Sequence, residues 1–283
     1  MIKPSFKLSL AFILSPFALQ ANDASKLDGP QLMNRYAETQ TVDAELAFIE
    51  LKTFETETPT ENIIKKRLLA VTRKDGNGGY DYLIRLLVPK DVEGVSVLTN
   101  VNNGNTDQYL YLPAQGKPVQ IGTGMSGNFL GSDFAYEDLI RETPSNYNYE
   151  RLPDAVAQGE VCAVILAKPS EVEGSQYAYR KIYLDPISFE VRKIEFFSED
   201  GSDPVKELQA YEYRSPNVDG STVRPRFAVM TNLETGTISV FKVLKSRLNL
   251  PLDEALFTSD NLPNISESDI NGLLVEVDAV GSH

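Results

Sequence analysis

From residue 44 onwards, hydrophobic and polar residues alternate with a period of two, in segments that turn-forming residues separate. This period is typical of β-strands with one buried face, and the segments are rich in Val, Ile, Thr, Tyr and Phe, which favour strands. The pattern predicts strands at 44–56, 62–74, 79–88, 94–101, 107–112, 148–153, 160–167, 176–184, 188–198, 205–214, 222–232 and 237–246. Because several connections are short and rich in Gly, Asp and Pro, consecutive strands should pair antiparallel.

The strand at 79–88 indicates which of its faces is buried. Tyr82, Ile84 and Leu86 share one wholly apolar face, whereas Asp81 and Arg85 mark the other. Since successive side chains point to opposite faces of a sheet, we expect the first three to point inward and the two charged residues to face solvent.

Two segments have helical features. Asp28 precedes Pro30 and the apolar stripe of Leu32, Met33 and Tyr36, which predicts a capped helix at 30–38. A second short helix is predicted at 133–140, with Ser132 or Asp133 as its cap.

These elements predict a mainly β fold of the α+β class. We expect a large curved antiparallel sheet that forms an incomplete barrel and is covered by the two helices.

Length and composition fit a single domain. The chain has 283 residues, of which 42% are hydrophobic, enough for one substantial core. Lys3 and Lys7, the apolar run 8–14 and the small Ala21 indicate a signal peptide at 1–21. We therefore expect one domain at 22–262, followed by a flexible acidic tail at 263–283, where no clean period is found.

Charge and chemistry exclude several functions. The formal net charge of −13 disfavours nucleic acids and anionic membrane surfaces as partners. The only histidine is His283, in the tail that we expect to be flexible, so we expect neither a Ser-His-Asp triad nor a histidine metal cluster. The single cysteine, Cys162, lies in an apolar run and is expected to be buried. The glycines at 122–127 lack the β-α-β context of a dinucleotide site, and the acidic residues at 199–203 lack calcium-loop spacing. We predict no catalytic residue, no metal site and no cofactor.

One stretch closely resembles a family signature: Phe129-Leu130-Gly131-Ser132-Asp133-Phe134-Ala135-Tyr136-Glu137-Asp138-Leu139. It is similar to the signature of LolA-like periplasmic proteins that sort outer-membrane lipoproteins. Further matches follow the same order at 85–94, 109–113, 167–169 and 193–197, so the resemblance covers roughly 40–258. The chain departs from the family pattern at 116–120, where a basic run is expected.

The resemblance implies a LolA/LolB-like fold with an apolar cavity between sheet and helices. It implies a soluble periplasmic carrier, not an enzyme, that binds acyl chains of lipoproteins or lipids and touches membranes only transiently. It also implies an inner-membrane exporter of the resistance-nodulation-division (RND) type as a possible partner. The predicted lipid-binding residues are Tyr82, Ile84, Leu86, Phe129, Phe134 and Leu139, and the signature residues are Gly131, Ser132, Asp133, Phe134, Tyr136 and Asp138.

Two alternatives stay open. A cargo-free periplasmic adaptor of an exporter would have the same sequence signature. An exported hydrolase acting on lipid or glycan remains possible because the chain contains 40 Asp and Glu residues, and the separation of any two carboxylates depends on the fold.

Overall fold

The computed structural model describes residues 24–102, 105–121, 127–141, 144–170, 175–199, 201–216 and 222–278. The predicted signal peptide at 1–21, most of the glycine-rich run at 122–127, Asp200 and the chain end at 279–283 lie outside these residues.

The described residues form thirteen strands in one antiparallel sheet that is not closed into a barrel. They are β1 (Ala44–Glu55), β2 (Ile64–Lys74), β3 (Tyr80–Val88), β4 (Ser96–Asn102), β5 (Asn105–Tyr111), β6 (Pro118–Ile121), β7 (Tyr147–Ala157), β8 (Glu160–Pro169), β9 (Tyr179–Leu184), β10 (Val191–Phe197), β11 (Lys206–Arg214), β12 (Arg224–Asn232) and β13 (Thr237–Leu248). All twelve predicted strands are confirmed, with small shifts at their ends. The short β6 was not predicted, because its four residues offer too little alternation to detect.

The strand order is β6-β5-β4-β3-β2-β1-β13-β12-β11-β10-β9-β8-β7. Two antiparallel meanders, β1 to β6 and β7 to β13, are therefore joined into one sheet by the pairing of β1 with β13. Because β6 and β7 lie at opposite edges, the connection between them must run across the sheet. We call residues 127–141 of this connection the crossover segment, and the sheet face that they cover the inner face.

The inner face is packed by the crossover segment and by helix α1 (Gly29–Gln40). Phe129 and Tyr136 of the crossover segment pack against β1 to β4, and Phe134 packs against β10, β12 and β13. Leu32 and Met33 of α1 pack against β8 to β10. The predicted cap of α1 is confirmed: the Asp28 carboxylate accepts a hydrogen bond from the Gln31 N–H at 2.9 Å.

The outer face of β1 to β5 is covered by the C-terminal residues. Two 3-10 helices, Glu254–Phe257 and Ser259–Asn264, lead to helix α2 (Glu267–Asp278). Phe257, Leu262 and Ile265 are buried there against apolar residues of the strands. Residues 263–278, which belong to the predicted flexible tail, therefore include side chains such as Ile265 and Ile270 that pack on the sheet. Their apolar side chains follow an irregular spacing, which no single period reveals.

The same packing overturns the expectation that Asp81 and Arg85 face solvent. Asp81 is buried and accepts hydrogen bonds from Arg73 Nε at 2.9 Å and Asn100 Nδ2 at 2.6 Å. Arg85 donates to the carbonyl oxygens of Leu262 and Ile265, at 3.4 and 3.1 Å. Charged residues on this face thus hold the C-terminal residues against the sheet. Cys162 is buried, as predicted.

Candidate functional site

The crossover segment does not contain the predicted helix at 133–140. It forms two 3-10 helices, Phe129–Gly131 and Tyr136–Leu139, and the chain between them is extended at Ser132 and Ala135. Gly131 has a φ of 74°, in the left-handed region that favours glycine. This turn separates the two short helices and explains the glycine of the signature.

Asp133 does not cap a helix, because its polar groups bind the sheet. Its Oδ1 accepts a hydrogen bond from Thr237 Oγ1 at 2.6 Å, and its Oδ2 accepts one from Ser239 Oγ at 2.7 Å. Lys206 Nζ donates to the Asp133 carbonyl oxygen at 2.9 Å. Ser132 is no cap either, since its hydroxyl donates to the Phe129 carbonyl oxygen at 2.7 Å. Asp133 therefore fixes the crossover segment to β11 and β13.

Asp138 performs the capping role in the second 3-10 helix. Its Oδ2 accepts hydrogen bonds from the Ala135 N–H at 2.7 Å and from Tyr177 Oη at 3.0 Å. Its Oδ1 is buried and has no hydrogen-bond partner among the described residues. The pKa of Asp138 is raised to about 6, chiefly by burial and to a smaller extent by the neighbouring Glu137 carboxylate, and this value already includes the lowering effects of the Ala135 N–H, Arg180 and Tyr177.

Two neighbouring cavities lie beside the second 3-10 helix, on the inner face. The small cavity has a volume of about 250 Å³. Its apolar lining comes largely from β10, β11 and β12, and we call these side chains the floor: Val191, Ile194, Phe196, Leu208, Ala210, Pro225 and Ala228. Polar and charged side chains complete its wall: Gln40, Glu137, Asp138, Arg141, Arg180 and Glu190.

The large cavity has a volume of about 390 Å³ and lies between the C-terminal end of α1 and the β2–β3 turn. Tyr80, Tyr82 and Val101 form much of its wall. Tyr36, Gln40 and Arg141 line both cavities, so these three residues stand between the two.

Arg141 belongs to a group of three charged residues. Its Nη2 donates to Glu45 Oε2 at 3.1 Å, and Arg224 Nε donates to the same oxygen at 3.1 Å. The Arg141 guanidinium also lies 4.9 Å from the centre of the Tyr80 ring. Its Nη1 is buried and makes no hydrogen bond within the described part of the chain. Arg141 is thus held in place by Glu45 and by the Tyr80 ring.

The structure separates the six predicted lipid-binding residues into two groups. Tyr82 lines the large cavity. Ile84, Leu86, Phe129 and Leu139 pack in one apolar cluster, and Phe134 lies in the adjoining one, which Leu139 also contacts. These five residues form the contact between the crossover segment and the sheet, and they line neither of the two cavities.

The floor residues of the small cavity were not predicted as binding residues, although the alternation in β10 places some of them on one face. Ile194 and Phe196 alternate with Lys193 and Glu195 in β10, which places both apolar side chains on one face. What the sequence could not indicate is that this face borders a cavity rather than a filled core.

An apolar floor with a polar wall suits an amphiphilic ligand better than a metal ion. Within the described ranges, no three His, Cys, Asp or Glu residues are grouped closely enough to hold a metal. None of the helices formed by these residues has both the length and the apolar character needed to cross a membrane.

These features define an open antiparallel sheet with cavities under a helix and a crossing loop, and solved structures share this fold. An outer membrane lipoprotein-sorting protein domain from Vibrio parahaemolyticus is 25% identical, with a TM-score of 0.76, and the match covers 85% of this chain and 99% of the other. A DUF1329 family protein from Desulfovibrio piger is 16% identical, with a TM-score of 0.73 and coverage of 87% and 99%. A LolA superfamily protein from Nitrosomonas europaea is 18% identical, with a TM-score of 0.65 and coverage of 83% and 99%.

A protein-family model whose description reads "Uncharacterized protein" matches residues 78–264, and the chain belongs to that family. No curated protein sequence matches the chain significantly. The resemblance to LolA-like lipoprotein-sorting proteins is confirmed by the structural relatives.

Proposed function

We propose that the protein is a periplasmic carrier that binds acyl chains of lipoproteins or lipids and moves them towards the outer membrane. The observation that carries this proposal is the small cavity, whose apolar floor on β10 to β12 is open beneath α1 and the crossover segment. The lipoprotein-sorting name of the Vibrio parahaemolyticus domain supports the same class of cargo.

The two cavities have a suitable size for this task. Their volumes of about 250 and 390 Å³ are close to those of typical ligand pockets. Each buried methylene contributes about 0.8 kcal/mol, so about ten of them would give roughly 8 kcal/mol, from which the cost of association must be subtracted. Such binding is strong enough for transport and weak enough for release.

Of the six predicted lipid-binding residues, Tyr82 lines the large cavity and would contact an acyl chain bound there. Ile84, Leu86, Phe129, Phe134 and Leu139 would contact an acyl chain only if the crossover segment moved away from the sheet, and their contact with lipid stays a prediction. The RND-type exporter as donor, the periplasmic location and the absence of enzymatic activity likewise rest on the family resemblance.

The test is to narrow the small cavity and measure the binding of a fluorescent fatty acid. Ala228→Leu adds a larger side chain to the floor and should lower affinity about tenfold, because it displaces roughly two methylenes at about 0.8 kcal/mol each. Ala155→Leu makes the same change at an exposed position of β7 and should leave affinity unchanged.

Equal affinity in both variants and the wild type would place the acyl chain outside the small cavity. Absence of any fatty-acid binding by the wild type, together with absence of lipid in an organic extract of the purified protein, would favour the cargo-free adaptor instead.

A further inference from the structure

We propose that the outer face of the sheet carries a docking site for an anionic phospholipid membrane. The site consists of basic side chains around Glu50, on β1, β2 and β13. It lies on the opposite face of the sheet from the two cavities. It therefore gives the proposed carrier a surface of contact with a membrane, and it does not depend on what the cavities bind.

Glu50 lies on the outer face of β1. Leu51 packs with Phe129 of the crossover segment on the inner face, so the side chains on either side of it, Glu50 and Lys52, point outward. Phe48, which precedes Glu50 on the same face, packs against the C-terminal residues. The docking site thus adjoins the part of the outer face that the C-terminal residues cover.

Four basic side chains gather around Glu50. Lys52 Nζ lies 3.2 Å from Glu50 Oε1, and Lys65 Nζ and Arg67 Nε lie 3.4 and 3.9 Å from Oε2. Lys242 of β13 stands opposite Glu50 on the other side of β1. We call these five residues the basic patch. Because four cations share one carboxylate, the patch is positive overall.

The cations of the patch are accessible to a partner, whereas the carboxylate is not. The side chains of Lys52, Lys65 and Arg67 are 38, 50 and 47% exposed, and that of Glu50 is 9% exposed. Burial raises the pKa of Glu50, but the hydrogen bonds and charges of Lys52 and Lys65 outweigh this effect and hold the pKa below its ordinary value. Glu50 therefore stays ionised and positions the cations at the surface.

Aromatic and aliphatic side chains extend the patch across the sheet. Lys242 Nζ lies 5.6 Å from the centre of the Phe227 ring, and Tyr211 and Val88 are exposed. Adjacent strands are about 4.8 Å apart, so a row of six opposed residues spans roughly 24 Å. From β11 to β3, the row consists of Tyr211, Phe227, Lys242, Glu50, Arg67 and Val88. We call it the outer row.

A membrane surface fits the outer row better than an acidic peptide does. Anionic head groups attract Lys and Arg, and tyrosine rings favour the depth of the head groups. A membrane can contact an extended row on an open sheet face all at once. A peptide is usually recognised in a groove, and the two cavities described above lie on the inner face.

The net charge of −13 does not prevent this contact. At about 0.1 M ionic strength, exposed charges more than about 10 Å apart are largely screened, so a membrane at the patch responds chiefly to the patch. Glu57 and Glu61 lie in the β1–β2 connection. Since β2 begins three residues before Arg67, that connection is about 10 Å or more from the outer row along the strand.

The experiment measures binding to lipid vesicles by flotation. We expect the wild type to bind vesicles made of equal parts of phosphatidylglycerol and phosphatidylcholine, but not vesicles of phosphatidylcholine alone. Raising the ionic strength from about 0.05 to about 0.5 M should release the protein, because salt screens the attraction between the cations and the head groups.

Two variants change the charge of the patch in opposite directions. Lys65→Gln combined with Arg67→Gln removes two cations and leaves Lys52 beside Glu50. It should weaken binding about 25-fold, since each basic residue near an anionic surface contributes about fivefold. Glu50→Gln removes the negative charge and should strengthen binding about fivefold, a gain that loss of folding would not produce.

The matched control makes the same change in net charge elsewhere. Lys117→Gln combined with Lys168→Gln alters exposed residues before β6 and in β8, towards the two edges of the sheet, and should keep the wild-type affinity. Fatty-acid binding should be the same in all of these variants, because none of the substituted residues lines either cavity.

Each outcome separates this inference from the carrier function. If the wild type binds neither kind of vesicle, or binds both equally, the docking site is wrong. If the control weakens binding as much as the β2 double variant does, net charge governs the contact and the docking site is wrong as well. Loss of fatty-acid binding by the wild type, with vesicle binding kept, would overturn the carrier function alone.

Discussion

At the scale of single residues, Asp133 and Asp138 lie on the same crossover segment but have different surroundings. Both carboxylate oxygens of Asp133 accept hydroxyl hydrogen bonds from β13. Asp138 has partners for Oδ2 only, and burial raises its pKa to about 6, above the ordinary value of 3.8. Asp133 thus joins the crossover segment to β13 through both of its side-chain oxygens, whereas burial disfavours the ionised form of Asp138.

The raised pKa of Asp138 predicts a pH dependence of stability. The folded protein holds the Asp138 proton more tightly than the unfolded chain, so the contribution of this residue falls as pH rises from about 4 to about 6. The change should be on the order of 3 kcal/mol, since one pKa unit corresponds to about 1.4 kcal/mol. Urea unfolding of the wild type and Asp138→Asn across this range measures it.

The quantity to compare is the free energy of unfolding of the wild type minus that of Asp138→Asn. Effects of other carboxylates are common to both proteins and cancel in this difference. Relative to Asp138→Asn, the wild type should lose stability between pH 4 and 6 and change little above that. A difference that stays constant across the range would show that Asp138 has an ordinary pKa.

At the scale of elements, the strands were predictable and the crossover segment was not. A strand's period of two is a local property, and twelve strands were found from it. The predicted helix at 133–140 relied on local capping rules, but the hydrogen-bond partners of Asp133 lie on β13, more than 100 positions further along the chain. Local sequence cannot reveal such partners. The predicted helix and its cap were therefore wrong, although they lie in the signature stretch at 129–139.

The interaction energy between Asp133 of the crossover segment and Ser239 of β13 can be measured with a double-mutant cycle. Asp133→Ala should destabilise the protein by about 2–5 kcal/mol, because two hydrogen bonds to a buried carboxylate are lost. Ser239→Ala alone should cost less. The free energies of unfolding of both single variants and the double variant give the coupling, which should exceed 0.5 kcal/mol.

Additive effects of the two substitutions would mean that Asp133 and Ser239 do not interact in solution. A cost below about 1 kcal/mol for Asp133→Ala would contradict the anchoring role altogether.

At the scale of the whole molecule, the sheet is covered on both faces by different parts of the chain. The C-terminal residues cover the outer face, and Phe257 is buried there with the Arg73 guanidinium 4.7 Å from its ring centre. The large antiparallel sheet was predictable from the sequence, but this second cover was not, because its short 3-10 helices leave no periodic signal. The cavities were not predictable for a related reason: empty space depends on the packing of distant elements.

Phe257→Ala tests whether the C-terminal residues pack on the outer face of the sheet. It should lower the free energy of unfolding by about 3–5 kcal/mol, the usual cost of removing a buried aromatic side chain. Val275→Ala, at an exposed position of α2, should change it by less than about 0.5 kcal/mol. If Phe257→Ala is equally mild, the C-terminal residues do not pack on the sheet in solution.

The pairing of β1 with β13 has a consequence for how the protein folds. Partner residues such as Glu45 and Leu248 are roughly 200 positions apart, so the sheet cannot be completed until the chain has been made as far as Leu248. Until then, one edge of β1 has unpaired backbone groups and can pair with a wrong strand or another chain. Contacts between such distant residues also slow folding. In a protein built in this way, the edge of β1 stays exposed to wrong pairing until β13 has joined it.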